Sequence, residues 1–421
     1  MWAQDNGGES PLGRVAITGL GTINPIALTL NEYEMALKEL RVGIQRITKY
    51  DPVNEIVQIA AEVRGFEATE YMEKKKAKRY DPVIKYAIAA SKMALEDSGL
   101  DMQGSWKTQA AVTVSSGIGG IHTMMAEFDS FQKFGSRFTS PFLIPMMIPD
   151  MSAGAVAMEF GLQGPNFATI SACATSLHSI IITAMMIRHG YIQVGICGGA
   201  EAVISPLPIA AFANMMALSR NNEDPAHASR PFDQERDGFV MGEGAGVLVL
   251  EDLSHALNRK ARIYGFIDGF GMSGDAYDFS AIEPGGETVA RAMNHAIAMA
   301  GVAKEDIDLV NCHATSTPRG DKSELIALQN LYSRSSKRPA LQSTKAMIGH
   351  GLGAAGANEV IACILQTQRG FVHGTANLCN PDPQAEGFWI PTQTIEKPIR
   401  FVLKNSLGFG GHNASILLSK D

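Results

Sequence analysis

The sequence is short of charge, of aromatic side chains and of paired cysteines. Only 19% of its 421 residues are charged and 7% are aromatic, whereas soluble proteins average about 25% charged residues. Acidic residues outnumber basic ones by 43 to 36, which excludes a nucleic-acid binder that relies on a large excess of positive charge. Any acidic partner must therefore be met by a local basic patch.

The five cysteines form no CxxC pair, and their number is odd. This predicts free thiols in a reducing, cytoplasmic compartment, and it indicates neither a disulfide framework nor a zinc site. Residues 1–13 have no basic start and no apolar core, so we interpret them as a loose leader or tag remnant rather than a signal peptide. A plastid or mitochondrial location stays open if a transit peptide was removed.

Long apolar runs are also missing. Residues 160–187 contain no charged side chain, but Pro165 and Asn166 interrupt the run. What remains is an apolar helix of about 14 residues from Ala174, short of the ~20 that span a bilayer. We therefore expect a buried helix and no membrane partner.

Short β-rich runs alternate with helical patterns, which predicts an α/β protein with buried sheets. A helix is predicted over 82–98. The predicted strands begin at Val15, Ala110, Ala168, Val194, Gly246 and Asp308.

One pattern occurs twice. Cys173 lies at the start of a neutral helix that stops before Gly190, and His350 precedes another that stops before Gly370. This repetition predicts two related halves, 14–255 with the cysteine and 256–421 with two histidines, although two such helices can also arise independently.

Cys173 lies between a strand pattern and this neutral helix. A helix N-terminus favours a thiolate, so the position suits a nucleophile, while a buried structural cysteine is the alternative. His313 follows a predicted strand and His350 lies among glycines; both can donate hydrogen bonds to a ligand or be ordinary core histidines. Their spacing matches no zinc site.

Between Arg338 and Arg369 the formal charges are Lys345 and Glu359. Two isolated opposite charges in an apolar stretch should form a pair, either as a structural salt bridge or to hold the loop of His350. Near the C-terminus, glycines surround Phe409, which predicts either a hinged loop that covers a cavity or a plain turn.

Four motifs in order identify a resemblance. They are ACATS (172–176), CHATSTPRGD (312–321), STKAMIGHGLGAAG (343–356) followed by Glu359, and NSLGFGGHN (405–413). Together they resemble the β-ketoacyl-[acyl-carrier-protein] synthases of the thiolase superfamily, from about Val15 to Leu418. The resemblance implies a five-layered α-β-α-β-α fold of two similar halves.

The resemblance also implies residue roles. Cys173 takes the acyl group as a thioester, and His313 and His350 hold the malonyl thioester while CO2 leaves. The backbone N–H groups of Cys173 and Phe409 form an oxyanion hole, and Lys345 with Glu359 supports the site. Substrate-binding positions are Ile118, Phe212, Thr315, Thr317, Gly408 and Gly410. No organic cofactor is implied.

Ile118 and Phe212 favour the type II synthase, which elongates fatty acids by decarboxylative Claisen condensation with malonyl-carrier protein. A type I synthase or a polyketide-type ketosynthase with the same Cys-His-His site is the alternative. A silent partner subunit would lack the cysteine, and a degradative thiolase would carry a second one.

The sequence departs from the family pattern at Ala314, Leu407, His412 and Lys404. Lys404 stands where relatives bind a monovalent cation, near Asn311, Glu359 and Asn405. We therefore hypothesise that its ammonium replaces this ion.

The implied partners are acyl- and malonyl-loaded acyl-carrier protein and a second copy of the chain. A basic cluster lies in the family's docking region, with a solvated helix face as the alternative, and the stretch 138–160 is an expected dimer contact. The cluster comprises Lys74, Lys75, Lys76, Lys78 and Arg79.

Overall fold

The computed structural model describes residues 13–421, so nearly all of the predicted leader lies outside the described part of the chain. The β-strands are β1 Val15–Ile23, β2 Ile44–Arg46, β3 Ile59–Ala61, β4 Ala111–Ser115, β5 Val194–Glu201, β6 Gly244–Asp252, β7 Gly265–Gly274, β8 Leu309–Asn311, β9 Ala340–Gln342, β10 Phe371–Val372, β11 Ile395–Glu396, β12 Phe401–Gly408 and β13 His412–Ser419. The α-helices are α1 Leu30–Lys38, α2 Lys74–Arg79, α3 Pro82–Ser98, α4 Ile121–Phe134, α5 Leu143–Met147, α6 Met151–Phe160, α7 Thr175–Arg188, α8 Pro206–Asn214, α9 Leu253–Asn258, α10 Glu287–Ala300, α11 Pro318–Leu331, α12 Lys345–Ile348 and α13 Ala355–Arg369.

Nine strands form one sheet whose order is symmetric about its middle. The order is β4-β5-β6-β1-β7-β13-β12-β8-β9. Reading outward from the centre, each side begins with two antiparallel pairings and continues with a parallel one: β1, β6, β5 and β4 on one side, and β7, β13, β12 and β8 on the other. The two sides meet where Val15 pairs with Ile267. This matching order supports the predicted repetition.

Alternation of side chains along the strands separates three apolar cores. In β6, Leu248 and Leu250 pack toward α7 and α13, whereas Val247 and Val249 pack toward α3. In the second side of the sheet, Leu417 turns instead toward α10 and α11. Successive residues of a strand point to opposite faces, so helices pack against both faces of the sheet. The helices α7 and α13 form a central layer, because their residues pack in one cluster with strands from both sides of the sheet. The helices α3 and α10 lie on the outer faces. The predicted five-layered α/β architecture is confirmed.

Local sequence explains the boundaries of the predicted helix over 82–98. Asp81 caps α3 by accepting the Val83 N–H at 3.1 Å, Pro82 occupies the first turn, and Gly99 ends the helix with a left-handed φ of 64°. The strand predicted from Ala168 is wrong, because the chain there makes one bridge, from Asn166 to Val112, and then turns toward Cys173.

Over residues 13–421, none of the helices combines the length and apolarity needed to cross a membrane. The same part of the chain contains no cluster of three His, Cys, Asp or Glu side chains arranged to hold a metal ion.

Candidate active site

A cavity of about 510 Å³ lies where the two halves of the sheet meet the central helices. Cys173, His313, His350 and Phe409 all line it, although they come from segments far apart in sequence. The predicted pocket residues that also line it are Ile118, Phe212, Thr315, Thr317 and Gly408. Gly410, Lys345 and Glu359 do not.

Cys173 sits in a short 3-10 turn, Ala172–Ala174, that leads directly into α7. Ala172 has a φ of 49°, in the left-handed region that a residue with a Cβ rarely adopts, so the turn carries backbone strain next to Cys173. Gly408 of β12 packs against this turn. A Cβ at Gly408 would lie 2.6 Å from the Ser171 carbonyl oxygen, closer than real Cβ atoms come, so only glycine permits the approach without a shift of the backbone.

The electrostatics of Cys173 differ from the expectation drawn from the helix N-terminus. Burial raises the pKa of its thiol to about 12, and the Lys345 ammonium and the Phe409 N–H lower it only in part. Desolvation of the thiolate therefore outweighs the helix end in the free site, and the resting sulfur is a thiol at neutral pH.

His313 follows β8, and the helix after it holds it in place. The carboxylate of Glu324, on α11, accepts the backbone N–H groups of His313 and Ala314, each at 2.8 Å. Glu324 is fully buried, so this double hydrogen bond fixes the end of the strand without solvent competition.

His350 is held through its backbone. Its N–H donates to the Val240 carbonyl at 2.8 Å, and its carbonyl accepts the Gly242 N–H at 2.9 Å. The imidazole rings of His313 and His350 meet nearly at right angles, with their centroids 5.3 Å apart.

Both imidazoles are neutral in this environment. Burial lowers the pKa of His313 and of His350 well below the usual value, and the ammonium groups of Lys345 and Lys404 lower both further. The Nδ1 atoms of both rings are buried and have no hydrogen-bond partner among the described residues. Each ring can therefore present Nε2–H to a ligand in the cavity.

Lys345 and Glu359 form the pair expected from their isolation in the sequence. Both are buried, and a second ammonium joins them, because Lys404 Nζ lies 2.8 Å from Glu359 Oε2. Burial lowers the pKa of Lys345, while the Glu359 carboxylate opposes the shift.

The glycine-rich segment after β12 forms the tight turn into β13. Gly410 and Gly411 have left-handed φ values of 80° and 75°. The Gly410 N–H donates to the Phe279 carbonyl at 2.8 Å, which ties the turn to an exposed loop. The Phe409 ring reaches the Phe212 ring at a centroid distance of 6.2 Å.

The two threonines and the two predicted acyl-pocket residues occupy different parts of the cavity wall. The hydroxyls of Thr315 and Thr317 are 3.0 Å apart, which makes a polar patch. Phe212 packs edge-on against Phe239 at 5.5 Å and, with Ile118, belongs to an apolar cluster that includes Cys173.

Sequence reasoning missed Glu201 and Glu324. Glu201 is buried and accepts the backbone N–H groups of Gly117 and Gly353, both at 3.0 Å, so it joins the loops on either side of Cys173. Burial raises the pKa of Glu201. The sequence did contain a signal for Glu324, because this charged residue lies on the apolar face of its helix, beside the core residues Leu325 and Leu328. A charge on that face must be buried and needs a partner.

The chain is similar to known proteins over nearly its whole length. Sequence models of the β-ketoacyl synthase N-terminal and C-terminal domains match residues 13–256 and 264–379. A 3-oxoacyl-[acyl-carrier-protein] synthase 2 from Synechocystis is 40% identical over 407 residues, which cover 97% of this chain and 98% of the relative.

Two solved structures are similar over nearly the whole chain. A β-ketoacyl synthase from Burkholderia phymatum superposes with a TM-score of 0.91 at 32% identity, covering 97% of this chain and 100% of that one. A type II polyketide ketosynthase, in complex with its acyl-carrier protein and bound to a hexaketide, gives 0.88 at 27% identity with the same coverage. This chain belongs to the β-ketoacyl synthase family.

Proposed function

We propose that the chain is a type II β-ketoacyl-[acyl-carrier-protein] synthase, an acyltransferase that elongates fatty acyl chains by two carbons. The observation that carries the proposal is the convergence of Cys173, His313 and His350 on one cavity, with the Phe409 N–H beside the sulfur. The 40% identity with a synthase 2 over nearly full length supports the subtype.

The first half-reaction is a thioester exchange. The Cys173 sulfur attacks the acyl thioester of the carrier protein, the new carbon–sulfur bond forms as the carrier thiolate leaves, and the thiol proton ends on that leaving group. The N–H groups of Cys173 and Phe409 stabilise the oxyanion of the tetrahedral intermediate. Because the resting sulfur is a thiol, proton loss accompanies the attack.

The second half-reaction breaks the bond between the malonyl carboxylate and its α-carbon. The Nε2–H groups of neutral His313 and His350 donate to the malonyl thioester carbonyl and stabilise the enolate as CO2 leaves. The enolate carbon then attacks the acyl group on Cys173, the β-ketoacyl product departs on the carrier protein, and the released cysteine thiolate takes a proton from solvent. Neutral imidazoles suit this role because they can donate without transferring the proton.

The cavity accommodates the two substrates in different regions. The hydroxyls of Thr315 and Thr317 supply hydrogen bonds for the polar arm that carries the thioester. Ile118 and Phe212 bound the apolar end that receives the acyl chain, and Phe409 closes over it. A hydrocarbon chain fits such a wall, since its burial there is driven by the hydrophobic effect.

The carrier protein docks on the basic helix α2. Lys74, Lys75 and Lys78 are exposed, whereas Lys76 is held by Glu159 at 2.7 Å. The Arg79 guanidinium lies 4.5 Å from the centre of the Phe142 ring. Three unpaired ammonium groups on one short helix suit an acidic partner. The similar polyketide ketosynthase was solved with its acyl-carrier protein, which supports the partner class.

The chain acts as a homodimer. Residues 166–170 run beside the sheet-edge strand β4, and the large apolar side chains among them are exposed. The helix α4 has no buried residue, so its apolar side chains are also uncovered. The exposed apolar residues are Phe128, Phe131, Phe134, Phe138, Phe142, Ile144, Phe167 and Ile170. A second copy covers this surface, because an apolar patch of this extent is unusual on a monomer. Sedimentation at micromolar concentration tests it, and a monomer would contradict it.

The free thiols of the five cysteines support a reducing, cytoplasmic compartment for the activity.

The deciding experiment supplies acyl-carrier proteins of graded chain length with malonyl-carrier protein and follows both Cys173 and the products by mass spectrometry. We expect an acyl adduct on Cys173, and then a β-ketoacyl product two carbons longer with release of CO2. If Cys173 is never acylated, the proposal fails. A polyketide-type activity, suggested by the hexaketide-bound relative, would instead give repeated condensation without reduction.

A further inference from the structure

Four charged side chains form a buried cluster behind the two histidines. Lys345, Lys404, Glu324 and Glu359 are each at most 1% exposed. Lys345 contacts one oxygen of Glu359, and Lys404 Nζ lies 2.8 Å from the other. Lys404 Nζ also donates to the Asn405 carbonyl.

The cluster connects both catalytic loops. Asn405 Nδ2 donates to Glu324 Oε1 at 3.2 Å, and Glu324 holds the backbone of His313. On the other side, Glu359 binds Lys345, the first residue of the short helix that leads to His350. Lys404 therefore lies between the supports of the two rings, through its contacts with Glu359 and the Asn405 carbonyl.

The formal charges of this cluster balance. Two ammonium groups face two carboxylates, which is the arrangement that burial tolerates. Removing the charge of Lys404 would leave one uncompensated negative charge in a site closed to water, and adding a cation to the intact cluster would leave one uncompensated positive charge. The structure is thus built for one cation here, and Lys404 supplies it.

The three residues expected to hold a monovalent ion do not fit one. Glu359 Oε2 already has the Lys404 ammonium beside it. The side chain of Asn405 is engaged at both ends, because its Oδ1 accepts Ser415 Oγ at 2.8 Å and its Nδ2 binds Glu324. Among the described residues, Asn311 Oδ1 has no hydrogen-bond partner, and Glu359 Oε2 has the Lys404 ammonium as its ion-pair partner but accepts no other hydrogen bond. One free amide oxygen beside a carboxylate oxygen that already faces an ammonium is not a cation site.

We infer that Lys404 is a positioning residue whose covalently tethered ammonium replaces a dissociable monovalent cation, so that the geometry of His313 and His350 does not depend on potassium or sodium. The inference deepens the proposed function and relies on it for its kinetic readout alone.

The first experiment uses the unmodified protein. Thermal unfolding and condensation are measured in potassium, sodium and choline chloride at one ionic strength. We expect the same melting temperature and the same rate in all three salts. A higher melting temperature or rate in potassium or sodium than in choline would show a separate ion site and overturn the inference.

The second experiment compares Lys404→Ser with Lys404→Met. The serine variant opens space beside Glu359, so we expect its condensation rate to fall about ten- to hundredfold in choline and to recover in potassium or sodium. The methionine variant removes the charge but keeps the volume, so the same loss should not recover. Two results would overturn the inference. One is a condensation rate that is the same in potassium, sodium and choline for both variants, and the other is a serine variant that loses no activity.

Failure of the proposed function can be distinguished from failure of the inference about Lys404. If the unmodified protein forms no condensation product, the proposed function fails while the melting temperatures still test Lys404. If the serine variant folds only in the presence of potassium or sodium, its salt-dependent melting temperature supports the same conclusion without an activity measurement.

Discussion

Substitution of Gly408 by alanine should disable the oxyanion hole while leaving the histidines in place. A Cβ at this position would lie 2.6 Å from the Ser171 carbonyl oxygen. Carbon and oxygen atoms approach to about 3.3 Å even in attractive contacts, so the end of β12 must retreat by roughly 0.7 Å. Phe409 is the next residue, and its N–H must reach an oxyanion at about 2.7–3.1 Å. We therefore expect acylation of Cys173 to slow by about 10²–10³, or ~2.7–4 kcal/mol.

The assay separates the two half-reactions. Acylation is followed by mass spectrometry of Cys173 after mixing with acyl-carrier protein, and decarboxylation by CO2 release from malonyl-carrier protein alone. Acylation should fall while decarboxylation changes little, because the latter depends on His313 and His350. The matched control is Gly274→Ala, whose Cβ would lie 4.0 Å from its nearest atom, in the same turn region. Acylation at the normal rate in Gly408→Ala, with circular dichroism unchanged, would refute the reasoning.

Three further predictions concern the second half-reaction, the stability and the partner. His350→Ala should still acylate Cys173 but lose about 10²–10³ in decarboxylation, measured by CO2 release, and equal losses in both steps would contradict its role. Burial lowers the pKa of His178 to about 4, whereas in the unfolded chain this residue takes up a proton below about pH 6.5. The contribution of neutral His178 to the free energy of unfolding is therefore complete above about pH 6.5 and is lost as the pH falls toward 4. Relative to His178→Asn, which can keep the contact to Ser171 Oγ at 2.6 Å, urea denaturation should show the protein losing about 1.4 kcal/mol between pH 7.5 and 5.5; a pH-independent difference would disprove this. Reversing Lys74, Lys75 and Lys78 to Glu should lower kcat/KM and flatten its salt dependence, whereas Lys420→Glu, beyond the far end of β13, should not; equal effects would favour a plain solvated helix.

Local signals predicted where Cys173 and His313 lie in the fold. Cys173 was placed at a helix start and His313 after a strand, and both lie there, because these positions depend on hydrophobic runs of a few residues. The ion pair of Lys345 and Glu359 followed from their isolation, since a buried charge must find a partner. The same reasoning failed for the strand predicted from Ala168, where an apolar run is exposed at the sheet edge instead.

Other features depended on contacts between distant segments. The thiol of Cys173 keeps its proton at rest because the cavity buries it, and no local pattern reports how completely a side chain is desolvated. No role was predicted for Glu201 from the sequence, whereas the fold makes it the acceptor of N–H groups from two loops.

The sequence alone determined the family and the α/β class and predicted which side chains react, because ordered motifs and short periodic runs carry that information. Only the tertiary structure decided what surrounds them. Lys404 faces Glu359 because β12 packs against α13. Glu324 reaches His313 because α11 and β8 contribute to one apolar cluster, which contains Leu325 and Val310. Interior charges are compensated either by an opposite charge, as in Lys345 and Glu359, or by backbone N–H groups, as in Glu201. Both kinds of partner are supplied by the packing of separate segments rather than by neighbouring residues.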